Sequence, residues 1–281
     1  MRINKKGLSI LRTLLWIMSI VAFMCLLVLI AGNIPSADPQ PRVNKDITVR
    51  IVAANLCASN SRPLDTGRYL SQLDADLFFL FEWTGTNVDL TSLYRAGVRS
   101  LLEYPRGGTH GVCVLSKQTL GAHPFLITNT VARKCAIPLV IVRIKIKTGW
   151  LNILGVHAPP PIRSCGTENT KTLAEVAKWI DAGRLIKRIG PVPPGDPVIV
   201  AGDLNAHPFS ASIRNLRNRG LVEVGSATRW RPVFTWAPTR WLPYIAKLDY
   251  VLVGPDLKVN SSWVLELPGS DHRLVMAEIT L

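Results

Sequence analysis

The chain has 281 residues, of which 48% are hydrophobic and 19% are charged. This length allows one large domain or two small ones, and the composition excludes a disordered chain because it supplies enough apolar side chains for a sizeable core. The formal net charge of +14 favours polyanionic partners such as nucleic acid, anionic lipid head groups or phosphorylated glycans. Because the charges are scattered, a basic surface kept for solubility is an equally good interpretation.

The first predicted element is the apolar, uncharged run over residues 13–31. A helix needs about 20 apolar residues to cross a bilayer. The apolar region of a secretory signal is shorter, about 7–15 residues, and is followed by a small-residue cleavage site. We therefore predict an uncleaved transmembrane anchor. A buried core helix is disfavoured because the run has no polar face.

Charges flanking this run predict its orientation. Four basic residues and no acid precede the run, and the next basic residue after it is Arg42; the four are Arg2, Lys5, Lys6 and Arg12. Positive charge stays on the cytoplasmic side, so residues 1–12 are predicted to be a cytoplasmic tail. The rest, a linker over 32–46 and a globular domain over 47–281, is predicted to lie outside the cytoplasm, in the periplasm if the protein is bacterial.

The five cysteines bear on this compartment. Cys25 lies inside the apolar run and lacks the small residues that precede a lipid-modified cysteine. The other four are Cys57, Cys113, Cys135 and Cys165. An exported domain permits disulfides, and four cysteines allow three connectivities. We favour the Cys135–Cys165 pair because both lie near the ends of consecutive elements, and a free buried thiol is the alternative for Cys113.

From residue 47 onward the pattern alternates between strands and helices. Apolar and alternating runs predict strands over 47–53, 77–81, 111–116, 139–147, 151–156, 198–201, 248–253 and 274–279. Helices are predicted to end near 73, to cover 170–189, and to cover 210–219 with Ser210 as cap and Gly220 as stop. Hairpins combined with crossover helices predict an α/β sandwich, in which two packed sheets carry helices on their outer faces.

Polar side chains concentrate at the ends of these predicted strands. They are Asn55, Glu82, His157, Asp203, Asn205, Asp249, Asp271 and His272. If the strands align in two sheets, these ends can converge on one rim, where the sheets would hold the side chains rigidly.

Five of these positions carry three chemical signals of their own. Glu82 ends a run of five apolar residues, where a carboxylate costs free energy unless it is paired or bound to a metal such as Mg²⁺. Asp203 and Asn205 present a carboxylate and an amide after a buried strand, although an ordinary Asx turn uses the same residues. Asp271-His272 offers a metal ligand and an acid/base group, with a solvated loop as the alternative; Asp249 could hold the other imidazole nitrogen.

Eight sequence blocks occur in the order seen in the endonuclease/exonuclease/phosphatase superfamily. The blocks are IVAANL, FLFEW, GVCVLSK, GVHAPP, VIVAGDLNAHPFS, FTW, KLDYVLV and GSDHRLVMAEI, and they span about residues 47–281. The chain thus resembles deoxyribonuclease I, exonuclease III, neutral sphingomyelinases and inositol-polyphosphate 5-phosphatases, as a membrane-anchored member of bacterial type. The resemblance implies a four-layer α/β/β/α sandwich of two mixed sheets and a metal-dependent phosphoric ester hydrolase.

The resemblance also implies a role for each polar position at the metal and phosphate. Asn55 and Glu82 would lie at the Mg²⁺ and phosphate site, with Glu82 as principal metal ligand and Mn²⁺ as a possible substitute. Asp271 would lie at the metal or position the neighbouring histidine. His157 and Asn205, together with Asn55, would bind the scissile phosphate.

The catalytic roles that the resemblance implies fall on five residues. Asp203 would activate or orient the attacking water, and Asn205 would stabilise the phosphate. His272, oriented by Asp249, would act as acid/base, and His157 would contact the reacting phosphate. Water would attack phosphorus in line with the leaving group.

The substrate stays open at the level of sequence. Arg240, Trp241 and Tyr244 lie in a segment that borders the site in this fold; they could stack on nucleic-acid bases, touch a bilayer, or simply pack. A phosphodiester in nucleic acid or in a phospholipid-like head group is the favoured substrate. A non-catalytic phosphate- or lipid-binding module and a released nuclease-type toxin are the alternatives. No protein partner can be inferred.

Overall fold

A computed structural model describes residues 5–34, 36–40, 42, 48–117, 120–127, 138–146, 149–162, 165–182, 196–224 and 233–281. The helices are α1 (Lys5–Asn33), α2 (Pro63–Gln72), α3 (Thr91–Arg95), α4 (Gly166–Ala182) and α5 (Ala211–Arg217). The strands are β1 (Thr48–Asn55), β2 (Leu77–Phe81), β3 (Val98–Tyr104), β4 (Val112–Lys117), β5 (Ala122–Ile127), β6 (Leu139–Ile146), β7 (Gly149–Gly155), β8 (Val198–Asp203), β9 (Val222–Glu223), β10 (Asp249–Val253), β11 (Lys258–Glu266) and β12 (Arg273–Thr280).

The strands form two six-stranded mixed sheets. The first sheet has the order β11-β12-β1-β2-β4-β3, and the second has the order β5-β6-β7-β8-β10-β9. The pairs β1–β2 and β7–β8 are parallel, and the other neighbouring strands are antiparallel. The predicted fold of two packed mixed sheets is confirmed.

Three apolar layers hold the sandwich together. Strand β2 is buried along its whole length, and because successive side chains point to opposite faces, Phe79 packs between the sheets while Phe78 packs outward. The outer layer of the first sheet includes Leu70 of α2 and Leu93 of α3. The outer layer of the second sheet includes residues of α4 and α5, among them Leu216. The helices therefore cover both outer faces, which confirms the four-layer arrangement.

The central strands of both sheets were predicted from sequence, and the edge strands were not. The four unpredicted strands are β3, β5, β9 and β11, and these are the outermost strands of the two sheets. An edge strand exposes more of its side chains, so its sequence mixes polar and apolar residues without a clean period; β11 reads KVNSSWVLE. The predicted helix over 170–189 corresponds to α4, but its residues 183–189 lie outside the described part of the chain.

The N-terminal helix α1 contains an apolar stretch, Leu14–Asn33, long enough to cross a membrane; it is exposed along most of its length, and Gly32 near its end is buried. Beyond α1, Ser36 forms two hydrogen bonds with the backbone of Val264 in β11, of 3.1 and 3.0 Å. Arg42 pairs with Asp76. The described part of the predicted linker therefore contacts the first sheet.

The cysteines divide into free and bonded thiols. Cys25, Cys57 and Cys113 are free, and Cys113 is buried, as the sequence allowed. Cys165 is disulfide-bonded. Cys135, which the sequence paired with Cys165, lies outside the described residues.

Gly202 precedes Asp203 in β8 and cannot accept a side chain without strain. Its φ is +145°, and an added Cβ would lie 1.9 Å from the carbonyl oxygen of Val156. We expect Gly202→Ala to destabilise the protein by about 1–3 kcal/mol, measured as a lower Tm by tryptophan fluorescence in detergent. Gly107→Ala is the control, because nothing lies within 4 Å of its Cβ. Equal Tm values for the two variants would contradict this account.

Candidate active site

The strand topology brings the predicted site residues to one end of the sandwich. In the first sheet, Asn55 ends β1 and Glu82 follows β2, and these strands are parallel. In the second sheet, Asp203 ends β8 and lies opposite Asp249, the first residue of the antiparallel β10. His157 follows β7, and His272 precedes β12. Parallel neighbouring strands end at the same rim, and the strands antiparallel to them begin at that rim. The side chains at these strand ends therefore lie close together.

A cavity of about 820 Å³ opens at this rim. Its lining includes Glu82, His157, Asp203, Asn205, Asp271 and His272. Asn55 and Asp249 are each 1% exposed and contact these lining residues from behind. The structure thus gathers all eight predicted positions at one site.

Asn55 connects the carboxylates of the two sheets. Its Nδ2 donates to Glu82 Oε1 at 3.0 Å and to Asp203 Oδ2 at 3.1 Å. Its Oδ1 accepts from the backbone N–H of Cys57 at 3.0 Å. The amide nitrogen of Asn55 therefore faces the carboxylates, which suits a role in positioning them more than the predicted role as a metal ligand.

Glu82 adopts a strained backbone conformation that aims its side chain into the cavity. Its φ is +56°, which is uncommon for a residue other than glycine and persists where the surroundings hold it. The buried Asn87 donates to the Glu82 carbonyl at 2.8 Å, and the backbone N–H of Ala58 donates to Oε2 at 2.9 Å. Asn87 is a positioning residue that the sequence analysis missed, since nothing in its sequence context distinguishes it from a loop asparagine.

Asp203 and Asn205 form the Asx turn that the sequence left as an alternative. The backbone N–H of Asn205 donates to Asp203 Oδ1 at 2.8 Å, and its Nδ2 lies 3.2 Å from Oδ2 and 2.9 Å from the carbonyl of Ala158. The Asx turn is therefore part of the site, because it fixes the direction of the Asp203 carboxylate.

Three buried polar residues that the sequence analysis assigned no role hold the loops of the site. Asn169 of α4 donates to the carbonyls of Pro159, Leu204 and Asn205 at 2.8, 3.0 and 3.2 Å. Ser270 donates to the carbonyl of Asn55 at 2.7 Å and accepts from the N–H of His272. Thr235 accepts from the N–H of Asp249. Apart from His272, their partners lie 10 or more residues away in sequence, so no local pattern could reveal these roles.

His272 is held between two carboxylates. Its Nδ1 lies 2.9 Å from Asp249 Oδ2, and its Nε2 lies 3.9 Å from Asp203 Oδ2. Burial alone would lower the pKa of His272, but the negative charges of Asp249 and Asp203 outweigh it and raise that pKa to about 10. His272 therefore carries a positive charge near neutral pH, with Asp249 fixing its ring.

His157 has the opposite protonation state. Its Nε2 lies 3.8 Å from Glu82 Oε1 and 3.6 Å from Asp203 Oδ2. Complete burial, aided by the charge of His272, lowers the pKa of His157 to about 3. One imidazole of the site is thus neutral and the other is a cation.

The carboxylates exceed the cations in this site. Burial and the neighbouring Asp249 raise the pKa of Asp203 to about 7, which is the response of a carboxylate that lacks a full counter-charge. Glu82 and Asp271 face the same cavity. Hard oxygen donors with surplus negative charge suit a divalent cation such as Mg²⁺.

Two groups of residues could hold such a cation. Glu82 and Asp271 belong to the set that the sequence predicted, and both line the cavity. Asp203, Asp249 and His272 form a second group, whose ligand atoms lie within 4.8 Å of one another. In the second group Nδ1 of His272 is already bonded to Asp249, so we favour Glu82 as the principal ligand.

Comparison with known proteins agrees with this fold. A sequence profile described as the endonuclease/exonuclease/phosphatase family matches residues 52–272. No curated protein sequence matches the chain.

Among solved structures, TDP2 of D. rerio complexed with a single-strand DNA product is 18% identical with a TM-score of 0.64, over 83% of this chain and 99% of that one. The human Nocturnin catalytic domain with bound sulfate is 17% identical with a TM-score of 0.57, over 83% and 94%. A mannosyl-6-phosphatase of Bacteroides thetaiotaomicron is 16% identical with a TM-score of 0.59, over 83% and 100%. At these identities the likeness establishes the fold.

We expect Glu82→Gln to weaken binding of Mg²⁺ or Mn²⁺ by roughly tenfold or more, because the amide keeps the shape of the side chain but removes its charge. Isothermal titration calorimetry on the detergent-solubilised chain measures this change. Glu103→Gln, an exposed position in β3, is the matched control. If Glu82→Gln bound either ion as well as the control, Glu82 would not be the principal ligand.

Proposed function

This chain belongs to the endonuclease/exonuclease/phosphatase family, whose members are phosphoester hydrolases, and we propose that it is a Mg²⁺-dependent phosphodiesterase that uses water as the nucleophile. One observation carries the proposal: successive contacts of 2.9–3.9 Å join Glu82, His157, Asp203, His272 and Asp249 beside one cavity. Burying ionisable groups costs free energy unless they pair with one another or with a ligand. Their convergence therefore supports catalysis over a non-catalytic phosphate-binding module.

Glu82 and Asp271 would hold the divalent cation in this proposal. When bound, Mg²⁺ would stabilise the negative charge that develops on the phosphate during the reaction. Asn55 would keep Glu82 and Asp203 at a fixed separation through its two N–H donors, and it would also lie at the phosphate.

Asp203 is the candidate acceptor for the proton of the attacking water. Three N–H groups fix its carboxylate, two from Asn205 and one from Asn55, so it can be aimed before substrate arrives. A general base must lie within hydrogen-bonding reach of the proton that it removes. Asp203 lines the cavity, so a water bound against that wall would lie within this reach.

The two histidines and Asn205 would act on the phosphate oxygens. His157, which is neutral, would donate a hydrogen bond to the phosphate, whereas His272 would add a positive charge and a transferable proton. Donors placed in advance around developing negative charge lower the barrier without reorganisation. His272 is thus the candidate acid that protonates the leaving oxygen, and Asp249 keeps its ring oriented for that step.

The membrane location is part of the proposal. Helix α1 is long and apolar enough to span a bilayer, and the basic residues before it favour a cytoplasmic N-terminus. We therefore propose an anchor near residues 13–31, a tail over 1–12, and the catalytic domain outside the cytoplasm. Protease added to intact spheroplasts should then digest the domain, and protection of the domain would contradict this orientation. Release of a shortened chain would favour the toxin alternative.

We expect the detergent-solubilised full chain to hydrolyse bis(p-nitrophenyl) phosphate when Mg²⁺ is supplied, with EDTA abolishing the reaction because the surplus carboxylates then lack their cation. A parallel comparison of DNA, RNA, sphingomyelin and inositol phosphates would rank natural substrate classes. Activity that persists in EDTA would overturn the metal-dependent mechanism.

We expect His272→Ala and Asp249→Asn each to lower kcat by about 10²–10⁴-fold, the usual contribution of a positioned acid or base, with a smaller effect on KM. The first variant removes the acid, and the second leaves its ring without the carboxylate that orients it. His123→Ala and Asp256→Asn replace exposed residues of the same types and should retain activity. Steady-state kinetics with the chromogenic diester would measure this, and full activity of His272→Ala would contradict the mechanism.

A further inference from the structure

The C-terminal end of α1 is fixed to the globular domain by buried polar contacts. The guanidinium of Arg273, a residue only 2% exposed, donates to the carbonyls of Gly32 at 3.1 Å and Asn33 at 2.8 Å. These carbonyls belong to the last turn of the helix, where no intrahelical partner exists and positive charge is favourable. The side chain of Asn33 pairs with the backbone of Tyr244 through bonds of 2.9 and 2.8 Å. The helix end therefore has a defined position on the domain.

The residues that fix this helix end adjoin the active site. Arg273 directly follows His272, and neighbouring Cα atoms lie about 3.8 Å apart. Because successive side chains of a strand point to opposite faces, His272 reaches the cavity while Arg273 reaches α1. Trp236, which lines the cavity, is bridged to the backbone of His272. The residue that holds the C-terminal end of α1 and a residue that lines the cavity are thus adjacent in one stretch of backbone.

The segment over residues 237–246, termed the 237–246 loop, extends from the cavity to the helix end. Trp236 and Ala246 are bridged at its base and both line the cavity, while Tyr244 contacts Asn33. Tyr244 packs against the domain: its ring centroid lies 4.0 Å from the Arg273 guanidinium, and its hydroxyl donates a hydrogen bond to Glu266. The loop contains one cation, Arg240, and no acid.

Trp241 does not pack against the domain. It is 91% exposed, and its neighbours Leu242 and Ile245 are 53% and 45% exposed. A single exposed apolar residue needs no explanation, but these three lie together in a loop that contacts the end of an exposed apolar helix. Tryptophan and tyrosine are enriched at the boundary between bilayer and water.

The length of the helix places this loop relative to a bilayer. The stretch Leu14–Asn33 has 20 residues, which at 1.5 Å per residue is about 30 Å, the thickness of the hydrocarbon core. Asn33 then marks the membrane surface, and Tyr244, in contact with Asn33, lies at that level. We propose that the 237–246 loop lies in the head-group layer with Trp241, Leu242 and Ile245 inserted, and that the adjoining cavity takes phosphodiesters carried by lipids of the same membrane.

The substrate part of this inference rests on the proposed function, whereas the membrane contact does not. Stacking of Trp241 on single-stranded nucleic acid is the competing use of an exposed aromatic beside an arginine. It gives no reason for the helix end and the loop to be joined by Asn33 and Arg273. The head-group assignment accounts for both observations.

The membrane contact can be tested without any enzymatic assay. The full chain is reconstituted in vesicles of phosphatidylcholine brominated on its acyl chains, which quench tryptophans that reach the bilayer. Trp241→Phe should lower the quenched share of tryptophan emission. Trp150→Phe is the control, because Trp150 lies near the start of β7 and the cavity lies beyond the end of that strand; its loss should remove unquenched emission. An unchanged quenched share in Trp241→Phe would overturn the contact.

The substrate assignment is tested by comparing membrane-borne and soluble diesters. The reconstituted double variant Trp241→Ser/Leu242→Ser should lose roughly tenfold or more of its activity on vesicles of phosphatidylcholine, phosphatidylglycerol and sphingomyelin. Its activity on bis(p-nitrophenyl) phosphate should stay unchanged. Tyr94→Ser is the control, since Tyr94 contacts Arg99 of β3, at the opposite edge of the first sheet from β11.

Each result of this comparison is decisive. Equal loss on both diesters, or no loss on vesicles, would overturn the assignment, as would a wild-type chain that cleaves single-stranded DNA but no vesicle lipid. Failure of the wild-type chain on every diester would instead overturn the proposed function, and the quenching measurement would still decide whether the loop contacts the bilayer.

Discussion

The candidate active site depends on one buried amide that connects two sheets. Asn55 donates simultaneously to Glu82 at the rim of the first sheet and to Asp203 at the rim of the second. Buried carboxylates repel one another and lose hydration, so they stay charged in place only when donors or cations surround them. The site therefore exists because the apolar layer between the sheets holds the two rims in register, and the amide of Asn55 joins them.

Burial and neighbouring charges give the two histidines of the site different protonation states. His157 and His272 both lie beside Asp203, yet burial leaves His157 neutral while Asp249 keeps His272 charged. The difference follows from which carboxylate each ring contacts, since only His272 has a carboxylate within hydrogen-bonding distance. The site thus contains one neutral and one charged imidazole, and the proposed mechanism uses both on one phosphate.

Elements could be predicted from the sequence where successive residues have the same surroundings. Strand β2 is covered on both faces, so its run LFFLF is apolar throughout and its assignment needed no structure. Strand β11, at the sheet edge, is exposed on part of its length and has no such pattern. The residues that position the site also lack a recognisable sequence pattern. Asn87 and Asn169 are ordinary asparagines in sequence, and only their distant partners give them a role.

The sequence alone determined the family resemblance, the apolar helix and the eight polar positions, because motifs and long apolar runs are local properties. Only the tertiary structure decided how those positions relate: that Asn55 presents its nitrogen to the carboxylates, that the two histidines differ in charge, and that Arg273 joins the helix end to the site. These features depend on distances between residues far apart in the chain, and such distances are set by packing, not by neighbours in sequence.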